Sequence, residues 1–337
     1  MASSAMKAGQ SLKGKSGIYT LTKQLYPTIW LATDASDRTV IIKRDISKRI
    51  DTERTLLHRF QSNSLFRPLI DEIEEARPHD PAVIERSKPE GSVATEESEP
   101  DESSTIVLRY YDSHIGEIAK EKGLSSREAK YVGSRVLQAL RDLHAIGYIH
   151  TDVKPRNILV NLCQEGDMRF KDVCLADLGD ALTTDSHEAR SGYPYGTPLF
   201  RSPEATLMMP FTTAHDIWSF GATMISLIYG RNFSIFTPRC RPEDEMYVDG
   251  IVRNFHKYFG PFPSSYLTIP GIDEVRLEAL TEITEQGKER GLFKRASSTE
   301  ISNQDRDFIW NLMKLDYRDR PTAAELLENE WFADTDR

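Results

Sequence analysis

His150-Thr151-Asp152-Val153-Lys154-Pro155-Arg156-Asn157, followed twenty residues on by Asp177-Leu178-Gly179, is the stretch whose reading decides the fold. Ile158-Leu159-Val160 follows the first segment and Val173-Cys174-Leu175-Ala176 precedes Asp177. Each run is short, apolar and β-branched or bulky, the pattern of a buried strand. The polar side chains Asp152, Lys154, Asn157 and Asp177 therefore sit at strand ends, where a scaffold presents chemistry. Taken alone, His-x-Asp followed by Asn is more often an ordinary surface turn, so the rest of the chain has to decide.

Composition narrows the field. The chain has 337 residues, 39% hydrophobic and 28% charged, ordinary for a globular protein with room for two cooperating lobes. A net charge of −9 argues against general nucleic-acid binding, which relies on Lys and Arg neutralising phosphates. Cys163, Cys174 and Cys240 lack Cys-x-x-Cys spacing, which predicts thiols in a reducing compartment rather than a disulfide framework or zinc site. No apolar run reaches the roughly 18 residues of a membrane span. The first residues lack the apolar core of a signal peptide, so cytoplasm or nucleus is the expected location, with no membrane partner.

Working outward, residues 1–17 are rich in Lys, Ser and Gly and read as a flexible tail. Ile18–Leu21, Thr28–Ala32 and Thr39–Lys43 read as strands separated by turns. Glu53 to Phe60 has the apolar spacing of a helix. Between about residues 71 and 104 there are twelve acidic and three basic residues with repeated Pro and Ser, predicting a disordered acidic insert that serves as a solvated spacer. Thr105–Leu108 resumes as a strand. Ser125 with Glu128 has the form of a capping box, and Val132, Val136, Leu140 and Leu143 give one apolar face of a long helix. Asp216-Ile217-Trp218-Ser219-Phe220-Gly221 opens a helix apolar nearly all round, hence buried. Thr322 with Glu325 caps a last helix ending near Trp331-Phe332. Phe259-Gly260-Pro261-Phe262-Pro263 marks a turn within the long stretch between Pro238 and Ser302.

Six of these stretches, in order over residues 18–332, resemble the motifs of eukaryotic protein kinases. His150 to Asn157 is similar to H-R-D-x-x-x-x-N, Asp177-Leu178-Gly179 to D-F-G, Val40-Ile41-Ile42-Lys43 to V-A-I-K, and Gly196 to Glu204 to G-T-x-x-[YF]-x-A-P-E with Ser202 for Ala. The combination most resembles SR-protein kinases and related fungal enzymes in the CMGC branch. The resemblance implies an α+β bilobal fold: a β-rich small lobe over 18–108 containing the acidic insert, a hinge at 109–113, and a helical large lobe over 114–337.

It also implies roles. Asp152 would accept the proton of an attacking hydroxyl, Lys154 would place a cation near the moving phosphoryl group, and Thr197 would contact both. Asn157 and Asp177 would hold Mg2+. Lys43, paired with Glu53, would meet the phosphates of ATP, although either has a bland reading: a Lys snorkelling from a strand edge and a Glu on an exposed helix face. Leu108 would guard the back of the adenine pocket and the Tyr111 backbone would meet the adenine edge. Glu204 would pair with Arg320, and Asp216 would steady the catalytic-loop backbone. With Ile29 as the valine of G-x-G-x-x-G-x-V, the glycine positions fall on Thr22, Gln24 and Pro27. Glycines let backbone N–H groups approach phosphates, and proline has no N–H, so weak nucleotide binding is expected. Three functions follow: an ATP- and magnesium-dependent Ser/Thr kinase acting on a protein substrate, a pseudokinase scaffold, or a small-molecule kinase. The segment Thr197 to Glu204 weighs against the last, because it builds a platform for a polypeptide.

Overall fold

The computed structural model describes residues 6–73, 103–268, 272–287 and 289–333. The chain divides into two compact units, one comprising residues up to Gln61 together with Pro68–Tyr110, the other Ser62–Arg67 and Tyr111 onward.

The first unit is built on one sheet. Its strands are β1 (Ser11–Lys13), β2 (Ile18–Tyr26), β3 (Ile29–Asp34), β4 (Thr39–Ile46), β5 (Leu69–Glu72) and β6 (Ser103–Arg109), in the order β1-β2-β3-β4-β6-β5. Helix α1 (Ser47–Arg59) follows β4 directly. Alternation in β2 and β3 puts Tyr19, Leu21, Trp30 and Ala32 on one face, where they pack with Val40, Ile42 and Val107. The register is fixed on both sides of β4, with Lys43 opposite Ile29 on β3 and Ile106 on β6.

The tail expected over 1–17 requires correction. Residues 11–13 pair with Ile18–Thr20, and Leu12 packs on the sheet's apolar face. The anchor is Asp71, a buried carboxylate that accepts from the Ser16 amide at 2.9 Å and the Tyr19 hydroxyl at 3.0 Å. A three-residue strand has too little periodicity to be read from sequence, and the carboxylate that anchors the turn after it lies more than fifty residues away. The same residue narrows the acidic insert: Asp71 and Glu72 belong to β5 and Ser104 to β6, while 74–102 lie outside the described residues. The expected hinge at 109–113 is likewise flanked by structure, Arg109 closing β6 and Ser113 opening a strand.

The second unit is mainly helical. Strand β7 (Ser113–His114) leads into α2 (Ile115–Glu121) and α3 (Ser126–Ala145), whose capping box between Ser125 and Glu128 is formed in full. Then come β8 (Tyr148–Ile149), β9 (Ile158–Leu162), β10 (Phe170–Leu175) and β11 (Leu182–Thr183). Short helices α4 (His187–Ser191) and α5 (Pro203–Thr206) precede α6 (Ala214–Tyr229), which is buried continuously from His215 to Leu227. Helices α7 (Tyr247–Phe259), α8 (Glu274–Gln286), α9 (Asn303–Leu312) and α10 (Ala323–Leu327) complete it. Trp218 of α6 is boxed by Phe236, Phe255 and Phe259 at centroid distances of 5.5, 5.2 and 5.7 Å. Trp331 sits on a separate 3₁₀ turn, Glu330–Phe332, rather than on the last helix, and stacks on Phe308. Among the described residues no helix is long and apolar enough to cross a membrane.

Candidate active site

The second unit's polar cluster is assembled around the N-terminal turn of α6. Asp216 is fully buried, yet three donors face it: the amides of His150 (2.7 Å) and Thr151 (2.9 Å) and His144 Nε2 (2.8 Å). Burial alone would raise its pKa; the hydrogen bond and charge of His144 outweigh burial and hold it low. The two amides it grips are the ones that orient the next residue, Asp152. Thr151 has φ +70°, a left-handed conformation that a β-branched residue adopts only when its surroundings over-determine it. Its amide on Asp216 and its hydroxyl on the Asp180 carbonyl, 3.0 Å away, supply that determination.

Asp152 receives four donors. Oδ1 accepts from the hydroxyl (2.8 Å) and amide (3.1 Å) of Thr197; Oδ2 accepts from Lys154 Nζ (2.6 Å) and Asn157 Nδ2 (3.1 Å). Lys154 Nζ also donates to Thr197 Oγ1 at 2.9 Å, closing a ring of base, cation and hydroxyl. Burial pushes the Asp152 pKa up, but Lys154 and the donated hydrogen bonds prevail and depress it, so the carboxylate is ionised at neutral pH. Gly196 permits the approach of Thr197. At φ +87° it lies against the Thr151 carbonyl, where a Cβ would collide.

Asn157 and Asp177 are brought together by the β9–β10 ribbon. Ile158 pairs with Leu175, and the Ala176 amide donates to the Asn157 carbonyl at 2.8 Å, so both residues sit at one ribbon end. His150 spans the same end: Nδ1 accepts from the Asp152 amide, leaving Nε2–H to donate to the Ala176 carbonyl at 3.2 Å. Asn157 turns Nδ2 toward two acceptors of Asp152, its carbonyl and Oδ2. Oδ1 is thereby the atom left for a cation. One amide and one carboxylate oxygen suit Mg2+, which takes few protein ligands and completes its shell with water and phosphates. Among the described residues there is no group of three or more His, Cys, Asp or Glu side chains placed to hold a metal.

Below the cluster, Glu204 and Arg320 form a fully buried two-pronged pair, both arms 2.8 Å long. Arg320 also donates to the carbonyls of Lys314, Ala214 and Leu315.

In the first unit Lys43 and Glu53 are joined by a buried ion pair of 2.7 Å, so neither bland reading holds. A separation of ten positions suffices because α1 begins at Ser47, at once after β4. The expected nucleotide loop is a tight β2–β3 hairpin turning on Pro27-Thr28. Thr22 donates to the Leu31 carbonyl at 3.0 Å and Gln24 to the Pro27 carbonyl at 3.2 Å. Side chains thus brace the hairpin at positions where the kinase motif carries glycines, and Ile29 opens β3. Leu108 is buried on β6 of this unit; Tyr111 is buried in the second.

The comparisons with known proteins agree with this arrangement. The family model described as protein kinase domain matches residues 92–332, more than half the chain, and the chain belongs to that family. Human mitogen-activated protein kinase 12 is 26% identical over 230 residues, covering 67% of this chain and 56% of the relative. The Caenorhabditis elegans mitogen-activated protein kinase pmk-1 is 29% identical over 231 residues, 68% of this chain and 55% of that protein. The chain thus spans little more than half the length of these two curated relatives. A solved chain from the yeast RNA Pol II CTD kinase CTDK-1 complex matches with a TM-score of 0.67 at 18% identity, covering 94% of this chain and 93% of that one, which shows the α+β protein-kinase fold.

Two residues of the cluster were not singled out from sequence as functional. His144 ends a helix, and His215 precedes Asp216; a histidine beside an acid at the mouth of an apolar helix was the available signal.

Proposed function

We propose that the protein is a Ser/Thr protein kinase that transfers the γ-phosphate of Mg-ATP to a protein hydroxyl. The observation that carries this reading is the closed ring of Asp152, Lys154 and Thr197, with Asn157 and Asp177 on the adjoining ribbon end. The ionised Asp152 carboxylate takes up the proton of the attacking hydroxyl. Lys154, already bonded to Thr197, offers its charge to the transferred group, a contribution of about 2.7–4 kcal/mol for one preorganised donor. Mg2+, when bound through Asn157 and Asp177, would neutralise phosphate charge, and Lys43, oriented by Glu53, would hold the nucleotide phosphates.

Within the superfamily, His-Thr-Asp, Asp-Leu-Gly, Arg-Ser-Pro-Glu and Asp-Ile-Trp-Ser support a place beside SR-protein kinases in the CMGC branch, working in cytoplasm or nucleus. Arg-Ser repeat peptides belong in the acceptor panel for that reason, and imaging of the tagged protein tests its location. The glycine-free hairpin favours a second reading, a scaffold that binds nucleotide weakly. The two separate on one experiment: labelled phosphate from Mg-ATP offered to mixed protein acceptors, with phosphoamino-acid analysis and melting curves. A kinase yields phosphoserine or phosphothreonine, and at 100 times the dissociation constant bound nucleotide stabilises the fold by about 2.7 kcal/mol. No transfer and no melting shift at millimolar Mg-ATP would leave the scaffold.

A further inference from the structure

His215 is fully buried and bonded at both ring nitrogens. Nε2 lies 3.0 Å from the Thr151 carbonyl and Nδ1 2.9 Å from Ser202 Oγ. A carbonyl only accepts, so Nε2 carries the proton and Nδ1 accepts from the Ser202 hydroxyl. Burial lowers the pKa of the ring, which keeps it in this neutral form. Ser202 is also the N-cap of α5, at the end of the segment that carries Thr197, while Thr151 is the strained residue directly before Asp152.

Thr151 is therefore clamped on both faces. Asp216 takes its amide; His215 takes its carbonyl. An arginine at position 151 would supply a charge for a phosphate, whereas threonine leaves the two segments to be tied by other means. We infer that His215 is a positioning residue for phosphoryl transfer: its Nε2–H holds the Thr151 carbonyl of the catalytic loop, and Ser202, at the end of the Thr197-bearing segment, fixes the ring tautomer that can do so. This link holds the Thr151–Asp152 peptide in the orientation that lets Asp152 face Thr197, without any charge being added to the segment. This role rests on the kinase reading above.

The test compares His215→Gln with His215→Asn in the full chain. A Gln amide reaches the place of Nε2 and can donate to Thr151; an Asn amide reaches only the place of Nδ1 and cannot. Initial rates are measured with Mg-ATP and a mixed acceptor of casein, myelin basic protein and histones, alongside melting temperatures. His215→Gln is expected to keep kcat within about threefold of wild type. His215→Asn is expected to lose tenfold or more in kcat, with KM for ATP changed less than twofold. Adding Ser202→Ala to His215→Asn should cost little more, since the link is already cut. Equal rates for Gln and Asn variants that melt alike, or a loss confined to KM, would overturn the role while leaving the kinase reading intact. A wild type inactive toward every acceptor would instead defeat the kinase reading, and the positioning role with it.

Discussion

Lys154 Nζ lies 2.6 Å from Asp152 Oδ2, and the same ammonium reaches Thr197 Oγ1. Burial pushes the pKa of this carboxylate up, and the charge of Lys154 is the largest of the influences that hold it down. Lys154→Met should then have two effects: a fall in kcat of about 10²–10³ from the lost donor, and an upward move of the acid limb of the kcat/KM profile, because burial loses its largest counterweight while Thr197 still donates. A pH–rate series from 5 to 8 checks both. A Met variant whose acid limb stays with that of wild type would show that Lys154 does not set the ionisation of Asp152.

The segment over residues 180–204, which carries Thr197, is held by packing. Ser186 caps α4, Ala189 is buried with Ile149, Leu182, Ala205 and Phe211, and the Phe211 amide donates to the Ala189 carbonyl. Arg201, a cation of the same segment, spends its guanidinium on the carbonyls of Tyr195 and Gly196 at 2.9 and 2.7 Å. Phosphatase treatment that leaves residues 180–204 without phosphate, verified by mass spectrometry, should change the initial rate less than twofold. A tenfold drop, about 1.4 kcal/mol in barrier, restored by rephosphorylating Thr183, Thr184, Ser186 or Ser191, would contradict this.

Much of this arrangement was legible in the sequence because it is encoded locally. Both capping boxes form as their spacing predicts, at Ser125 with Glu128 and Thr322 with Glu325. Lys43 with Glu53 and Glu204 with Arg320 meet as the motif order implied. What escaped is encoded by partners distant in sequence. Asp71 anchors Ser16 and Tyr19, on the turn from β1 into β2, across more than fifty residues, and its acidic neighbourhood disguised it as part of a solvated run. His215 acquires meaning only from carbonyl and hydroxyl partners 64 and 13 residues away. The start of α1 was missed for a local reason: no side chain caps it.

Breaking the Glu204–Arg320 pair should be costly, and unequally so. Arg320→Met leaves Glu204 buried without its cation and also strips donors from three carbonyls, so a loss of at least about 3–5 kcal/mol is expected. Glu204→Gln leaves Arg320 its three carbonyls and should cost less. Urea unfolding ranks the two; a Gln variant as damaged as the Met variant would refute the added weight of the carbonyls.

Glu128 gives the fold an acid-sensitive contribution. Although burial would raise its pKa, hydrogen bonds from Arg169 and the Ser125 amide, with the charge of Arg169, hold it down to about 2 against an ordinary 4.5. A depressed carboxylate stabilises the folded state in full above its unfolded value and loses that contribution as pH falls toward the folded one. The stability gap between wild type and Glu128→Gln should therefore be constant from pH 7 to about 5 and shrink between about 4.5 and 2. A gap unchanged down to pH 2.5 would be inconsistent with the ionised pair.

The central claim, that Asp152 is the base of a protein phosphoryl transfer, is tested by single-turnover transfer of labelled γ-phosphate from saturating Mg-ATP to a protein acceptor, wild type against Asp152→Asn. An amide in this place keeps the shape of the side chain and can still accept from Thr197, but it cannot take up the hydroxyl proton. The account predicts phosphate on serine or threonine with wild type, a rate lower by about 10² or more for the Asn variant, the range general-base contributions span, and an unchanged melting shift on adding Mg-ATP. An Asn variant that transfers phosphate as fast as wild type would contradict it.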